Sequence, residues 1–373
     1  MKYNCKTVGT LLFCVLFFCL CAFFSVGMLI PGASSAVEGA EMPALITDGR
    51  ISDGFGDDFE TWFSKRFAFR GTVVDLFSSL KETVFGTGND QVTVGEDGFL
   101  YFNDTLDSFL REHPLTEEEL RSIADALSNL DAYAEAHGAH LLFVPAPNKN
   151  TVYPEYMPAR YRMAQPQTPS DLDRLFAYLE SETDVDYLDL RPVLEAAKAE
   201  HLLYHRRDSH WNGYGAHVAY EAIMAHLSLP MPDFSALPRT DISTHEGDLD
   251  RLLYPGTVKY DDNTVFDYEG QYIYTSAFST EMDMTITTRS AGQAGTLLCF
   301  RDSFASAMLG DLAISFQTAR LERAIPYRLD GLETQTADIV IVEIAERNLR
   351  SLIGCDGRIT GEADLSDLTP SAE

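Results

Sequence analysis

The chain has 373 residues, 45% apolar and 23% charged, enough for one large globular domain or two smaller ones. Its 57 acidic against 28 basic side chains give a net charge of -29, which excludes a nucleic-acid partner, because phosphate recognition needs clustered Lys and Arg. An anionic polymer is also repelled at long range unless basic side chains gather locally; Lys149, Arg206, Arg207 and Arg301 lie in or beside the motifs described below.

Lys2 and Lys6 precede an uncharged run from Thr7 to Val37. Its strongly apolar part, Val8 to Ile30, is long enough to cross a bilayer core of about 30 Å at about 1.5 Å per residue. The positive flank keeps the N-terminus in the cytoplasm and exports everything after Pro31. A cleaved signal peptide is the alternative, since Ala33-Ser34-Ser35-Ala36 supplies small residues, but a signal h-region is only about 7 to 15 residues long. Residues 1–36 are therefore expected to be an anchor that leaves a single-pass cell-membrane protein with its main domain outside, or a secreted one if cleavage occurs. A linker over 37–56, a catalytic domain over 57–355 and an acidic tail over 356–373 complete the expected organisation.

Four of the six cysteines, Cys5, Cys14, Cys19 and Cys21, lie in or beside the apolar run. Cys299 and Cys355 are left for the exported part, as one disulfide or as buried thiols. No CxxC or Cys/His spacing suggests zinc, and no metal or cofactor is expected. His201 and His205 share an i, i+4 spacing, yet no Glu lies between them and no third ligand is evident, so they read as packed or exposed histidines.

From Asp57 to Leu80 the aromatic positions Phe59, Trp62, Phe63, Phe67 and Phe69, then Val73, Val74, Phe77 and Leu80, read as helices packing on a sheet. Gly95-Glu96-Asp97-Gly98 before Phe99-Leu100-Tyr101-Phe102 is a turn into a strand. Thr116 and Glu119 form a capping box for a helix that Gly138 stops. Leu141-Leu142-Phe143-Val144 is a short continuous apolar run, the mark of a buried parallel strand. It ends in the polar loop Pro145 to Asn150, at the strand end where functional loops of α/β sheets collect, which makes Asn148 and Lys149 candidate oxyanion or substrate contacts. A helix over 171–182, a strand over 185–188 and helices over 192–201 and 214–227 continue the alternation. Residues 231–290 read as a β-rich insertion. Strand 296–300, helix 304–309, strand 338–342 and helix 346–352 then resume an α/β pattern.

Two stretches carry chemistry. Arg206-Arg207-Asp208-Ser209-His210-Trp211 offers a carboxylate and an imidazole two residues apart, and Phe300-Arg301-Asp302-Ser303-Phe304 places a serine straight after a strand. A serine hydroxyl needs an imidazole base, and the imidazole needs an acceptor that fixes its tautomer, so Asp208, His210 and Ser303 can form a triad. Ser303 can equally be a helix N-cap, a role compatible with oxyanion stabilisation at a helix N-terminus.

Asp208-Ser209-His210-Trp211 with Gly215-Ala216, the Pro-x-Pro-Asn-Lys segment at 145–149, the segment from Val94 to Leu100 and the block Asp302-Ser303-Phe304 together resemble the SGNH-hydrolase-like proteins of exopolysaccharide acetylation. The nearest groups are the AlgX/AlgJ alginate O-acetyltransferases and the DHHW family. The resemblance runs from about Phe59 to Leu352 and implies a three-layer α/β/α fold. In it Ser303 would take an acetyl group and pass it to a polysaccharide hydroxyl, with Asp208 and His210 as the matching Asp-x-His. It also implies an acetyl donor delivered through a membrane-bound O-acyltransferase. Two positions depart from the pattern: Ser209 stands where Thr or His is frequent, and Arg301 stands where Gly usually precedes Asp-Ser, either crowding the turn or holding the carboxylate of an acidic sugar. Trp211, Asn148, Lys149 and Arg301 are the expected substrate-side residues. An esterase with the same triad, or a polysaccharide-binding subunit that keeps the fold without catalysis, are the alternatives.

Overall fold

A computed structural model describes residues 5–28, 30, 42–47, 49–52, 54–257, 259–323 and 337–355. The chain divides into two compact units, Met1–Asn89 with Asp250–Val258, and Asp90–Leu249 with Lys259–Glu373. The expected acidic tail over 356–373 lies outside the described residues, as do residues 37–41, 48 and 53 of the expected linker.

In the first unit a helix runs over Cys5–Gly27, followed by a pair of two-residue strands, β1 (Ile46–Thr47) and β2 (Arg50–Ile51), and by helices Phe55–Arg66 and Arg70–Phe85. Residues Gly9–Gly27 are long and apolar enough to cross a membrane. The sequence suggested that the aromatic side chains at 55–69 pack on a sheet; within this unit their rings meet one another and Phe23 and Phe24. Phe55, Phe59, Phe63 and Phe67 stack on one another at i, i+4 spacing, with ring centroids 5.6, 6.1 and 6.4 Å apart. The next helix binds residues 250–257 of the same unit: the Asp75 carboxylate accepts the Gly256 N–H (3.0 Å) and the Thr257 hydroxyl.

The second unit is built on a six-stranded sheet of β5 (His140–Ala146), β8 (Tyr272–Tyr274), β9 (Thr285–Ser290), β10 (Thr296–Phe300), β11 (Thr318–Glu322) and β12 (Ile339–Ala345). The order is β5-β12-β10-β11-β9-β8, with the first four parallel and β9 and β8 antiparallel at the far edge. The central strands are buried on both faces, which is why they read as unbroken apolar runs. Leu142, Val144, Leu297, Cys299 and Ile341 pack with Trp211, Ile223 and Leu312 on one side; Leu141, Phe143, Leu298, Phe300 and Val340 pack with Leu127 and Leu175 on the other. Helix Gly213–His226 thus covers one face and helices Glu117–Ala136 and Asp171–Glu182 the other, giving the three-layer α/β/α arrangement expected from the sequence. The capping box at Thr116 and Glu119 forms as expected, and Gly138 ends that helix with φ at 77°. Strands β3 (Val92–Val94) and β4 (Leu100–Phe102) pair across a turn in which Asp97 and Gly98 both have positive φ.

Several elements differ from the sequence expectation. Residues 185–188 contribute a single bridge, Phe143 to Tyr187, and the helix expected to reach His201 closes at Ala197. The segment after Ser303 begins with a 3-10 turn, Ala305–Met308, before helix Leu309–Ser315. The stretch 231–290 is not one insertion. β6 (Arg239–Glu246) and β7 (Tyr260–Phe266) form a separate antiparallel pair, residues 250–258 belong to the first unit, and β8 and β9 extend the main sheet.

Candidate active site

Ser303 sits just beyond the C-terminal end of β10, on a loop fixed from beneath by two buried carboxylates. Asp302 accepts the N–H groups of Phe304 (2.9 Å) and Ala345 (2.7 Å) and the Asn348 side-chain amide (3.1 Å). Glu343, fully buried on β12, accepts the N–H groups of Asp302 (3.1 Å) and Ala305 (3.3 Å); burial first, then the Asp302 charge, raises its proton affinity well above the usual carboxyl range. The chain enters a 3-10 turn over Ala305–Met308, with Phe304 in its N-cap position. Ser303 is therefore not the helix N-cap considered from sequence.

The loop before helix Gly213–His226 supplies the rest. His210 Nε2 lies 2.8 Å from Ser303 Oγ, and His210 Nδ1 lies 2.7 Å from Asp208 Oδ1, which also accepts the His210 backbone N–H at 3.0 Å. With Nδ1 donating to the carboxylate, Nε2 is left as the acceptor facing the serine hydroxyl. The second Asp208 oxygen accepts the Asp248 N–H (3.0 Å) and His245 Nε2 (3.1 Å). Burial would raise the Asp208 carboxyl, but hydrogen bonds from His210 and His245 outweigh it and hold it well below the usual range. Burial likewise opposes protonation of His210, and the bond to Asp208 and its charge reverse this, leaving the imidazole more basic than usual. Asp248 accepts the Ser209 N–H (2.7 Å) and hydroxyl (2.6 Å). Burial, then the Asp208 charge, raises its carboxyl. Asp208, His210 and Asp248 each bring one potential metal-ligand atom within 4.8 Å of the others.

Residues 203–213 are gripped from several sides. The buried Lys149 ammonium donates to the carbonyls of His205 (3.1 Å), Arg206 (3.1 Å) and Asp208 (2.6 Å). Burial pushes its pKa down to about 7, against the opposing pull of Asp208, Asp248 and Asp261. The β6–β7 pair holds the other side: Asp261 accepts the Arg207 N–H (2.8 Å), the Asp262 carbonyl meets His205 Nδ1 (3.0 Å), and Asn263 accepts the Gly213 N–H (2.9 Å). A shift of register between Ile242 and His245 interrupts this pairing, and bulges of this kind re-aim side chains beside active sites. His245 lies face to face on His205, centroids 3.7 Å apart and planes 6° apart. His205 is pushed down to about 4 by burial and by His245.

The sequence-derived residues thus divide. Asp208, His210 and Ser303 come together. Lys149 is turned to backbone carbonyls. Trp211 is buried, donating its indole N–H to the Phe304 carbonyl (2.9 Å), and so ties the His210 loop to the Ser303 loop. Arg301 is fully buried and neither crowds the turn nor reaches outward. Its guanidinium donates to the carbonyls of Glu281 (2.7 Å) and Asp283 (3.1 Å) and to Ser306 Oγ (2.7 Å), bracing the serine loop. Asn148 donates its N–H to Glu346 (2.8 Å), while its side-chain amide is buried with no hydrogen-bond partner among the described residues. His201 packs on Tyr214, centroids 4.1 Å apart. Cys299 and Cys355 are both buried thiols and are not joined in a disulfide.

Sequence reasoning missed His245, Asp248, Glu343 and Arg347. Arg347 is half-buried, lying over the rings of Phe304 (5.2 Å) and Phe102 (5.8 Å), with no hydrogen bond or ion pair among the described residues. Glu343 had a faint signal, an acid inside an apolar strand run; the others had none.

Comparison with known proteins bears on this geometry. The family described as "SGNH hydrolase-like domain, acetyltransferase AlgX" matches residues 92–260. That stretch is therefore similar to the AlgX-type domain over a little under half of the chain. The family match takes in Asp208 and His210 and ends before Ser303. A protein of Pseudomonas putida named "Probable alginate O-acetylase AlgJ" is 27% identical over 169 residues, 45% of this chain and 42% of that protein. The Pseudomonas aeruginosa protein of the same name is 26% identical over 226 residues, 59% of this chain and 53% of it, so the chain spans about half the length of these relatives. A solved DHHW family protein from Eubacterium siraeum superposes with a TM-score of 0.54 at 16% identity, covering 74% of this chain and 100% of that one, a likeness of fold alone.

Proposed function

We propose that this SGNH-like protein is an extracytoplasmic O-acetyltransferase working through an acetyl-Ser303 intermediate on a polysaccharide acceptor. The observation that carries the proposal is the chain of contacts from Ser303 Oγ to His210 Nε2 (2.8 Å) and from His210 Nδ1 to Asp208 (2.7 Å). Similarity to the AlgJ and AlgX proteins supports acetyl as the group transferred and a sugar hydroxyl as the acceptor. His210 takes the Ser303 proton as Oγ attacks the acetyl carbonyl, then gives it to the departing donor group. In the second half His210 takes the proton of the acceptor hydroxyl, whose oxygen attacks the acetyl-serine, and the proton returns to Ser303 as the ester breaks. Asp208 keeps the imidazole oriented and stabilises its charged form. Asn148, with its unpartnered buried amide, is the proposed oxyanion or substrate contact among the sequence-derived residues. Arg347, a cation against Phe304 with no ion pair among the described residues, is proposed to meet an anionic group of the acceptor.

The anchor over residues 9–27 would place the site outside the cytoplasm, with acetyl groups supplied through a membrane-bound O-acyltransferase. Hydrolysis by the same three residues is the second reading, since water can replace the sugar with no change at the triad. The test is to supply the full chain with a chromogenic acetyl ester, with and without oligosaccharide acceptors, neutral and uronate-containing, and to weigh the products. Acetylated sugar formed only with Ser303 present supports transfer. Free acetate alone under every acceptor makes the protein an esterase.

A further inference from the structure

Helix Arg70–Phe85 is built the wrong way round for a helix on a water-soluble surface. Val73, Leu76, Phe77, Leu80 and Val84 recur at helical spacing along one stripe, and all are exposed, Leu76 at 72% and Phe77 at 61%. The opposite face carries the half-buried Gly71 and the buried Asp75 and Ser78, so the small and polar face is the covered one. Gly71 approaches Gly256 so closely that a Cβ would lie 2.8 Å from its Cα, and Asp75 caps the Gly256 N–H at 3.0 Å. An amphipathic helix in water buries its apolar stripe, and contiguous exposed apolar surface marks an interaction face.

What covers that stripe follows from where the helix begins. Within the same compact unit, the C-terminal end of the apolar helix Cys5–Gly27 rests on the turn Phe67–Phe69 that launches it. Phe23 stacks on Phe69 with centroids 5.2 Å apart, Phe24 meets Phe67 edge-on at 5.5 Å, and a Cβ on Gly27 would lie 2.7 Å from that of Ala68. Residues Gly9–Gly27 form the membrane-spanning candidate, so Gly27 and the turn packed on it lie at interface depth. The helix therefore starts at the membrane surface with its apolar stripe uncovered. Lys81 lies over the Phe77 ring at 5.6 Å, a cation at the edge of the stripe as in helices that lie in the headgroup region.

We infer that helix Arg70–Phe85 is an interfacial helix whose face of Val73, Leu76, Phe77, Leu80 and Val84 sits in the outer leaflet of the bilayer that residues 9–27 cross. The inference rests on that span and is independent of the chemistry at Ser303. To test it, the full chain is reconstituted into phosphatidylcholine–phosphatidylglycerol vesicles carrying a photoreactive benzoylphenylalanine at Phe17, Phe77, Leu80 or Ser79, one site at a time, and irradiated. Lipid adducts at 77 and 80, several-fold above those at 79, are expected. A Phe17 probe that labels lipid while those at 77 and 80 give no lipid adduct, or crosslink only to a second copy of the chain, overturns the inference. Absence of lipid adducts at Phe17 overturns the span itself, and the interfacial placement with it.

Discussion

Replacing Asp208 by Asn probes the site most sharply, because this carboxylate takes four N–H donors: His210 Nδ1 (2.7 Å) and N (3.0 Å) on one oxygen, Asp248 N (3.0 Å) and His245 Nε2 (3.1 Å) on the other. Asn offers one acceptor oxygen, so whichever way its amide turns, an NH2 group faces two donors. His245 can change tautomer and accept, but the Asp248 N–H cannot, so at least one bond to a charged group is lost, about 1.5–3 kcal/mol of stability. The larger effect is on rate. Without the negative charge, His210 loses the partner that fixes its tautomer and makes it basic, and kcat should fall about 10³- to 10⁴-fold, as loss of a triad carboxylate does elsewhere. The pH profile adds a signed test. With His210 as the proposed base, activity should require its neutral form and be lost as pH falls through its raised pKa, so the Asn variant should move that acid limb to lower pH. Asp208, with its carboxyl held low, contributes stability present above the ordinary carboxylate pKa and lost as pH falls through the depressed value; the variant should lack this dependence. The assay is stopped-flow release from a chromogenic acetyl ester over a pH series, with thermal unfolding alongside. Turnover within tenfold of wild type and an unmoved acid limb would refute the reasoning.

Lys149→Met leaves three backbone carbonyls without their shared donor and should lower stability by about 2–4 kcal/mol and slow ester turnover with it, read by thermal unfolding and initial rates. Between about 7 and the ordinary Lys value the unfolded chain holds a proton that the folded one lacks, so wild-type stability should climb with pH over that window, and the variant should flatten the climb. His245→Ala should reduce kcat about tenfold or more with KM little changed, and His245→Gln, which keeps an N–H toward Asp208, should recover most of it; equal losses in both would remove His245 from the account. Chelation with EDTA should leave ester turnover unchanged, and a chelator-sensitive rate would recast Asp208, His210 and Asp248 as a metal site.

The central sheet was readable because its strands are buried on both faces, so that runs such as Leu141–Val144 and Thr296–Phe300 stand out against the flanking helical patterns. The pair Asp208 and His210 was readable because its spacing is local, and Ser303 because it follows a strand. What escaped was decided in three dimensions. Lys149 and Arg301 looked like substrate contacts because a charged side chain in a polar loop is normally solvated; here both are buried and donate to carbonyls of segments remote in sequence. His245 reaches Asp208 where the β6–β7 register shifts, and no local composition announces a bulge. The aromatic helices at 55–85 misled for the opposite reason: their apolar spacing is that of a core helix, and spacing alone does not say whether protein or lipid covers it.

The most direct measurement is intact mass of the full chain after brief exposure to the acetyl ester, wild type beside Ser303→Ala. A single acetyl adduct that appears on the wild type, is discharged on adding acceptor, and is absent from Ser303→Ala is the predicted result. An adduct that persists without Ser303, or a folded wild type that neither acquires one nor releases the chromophore, would contradict the account.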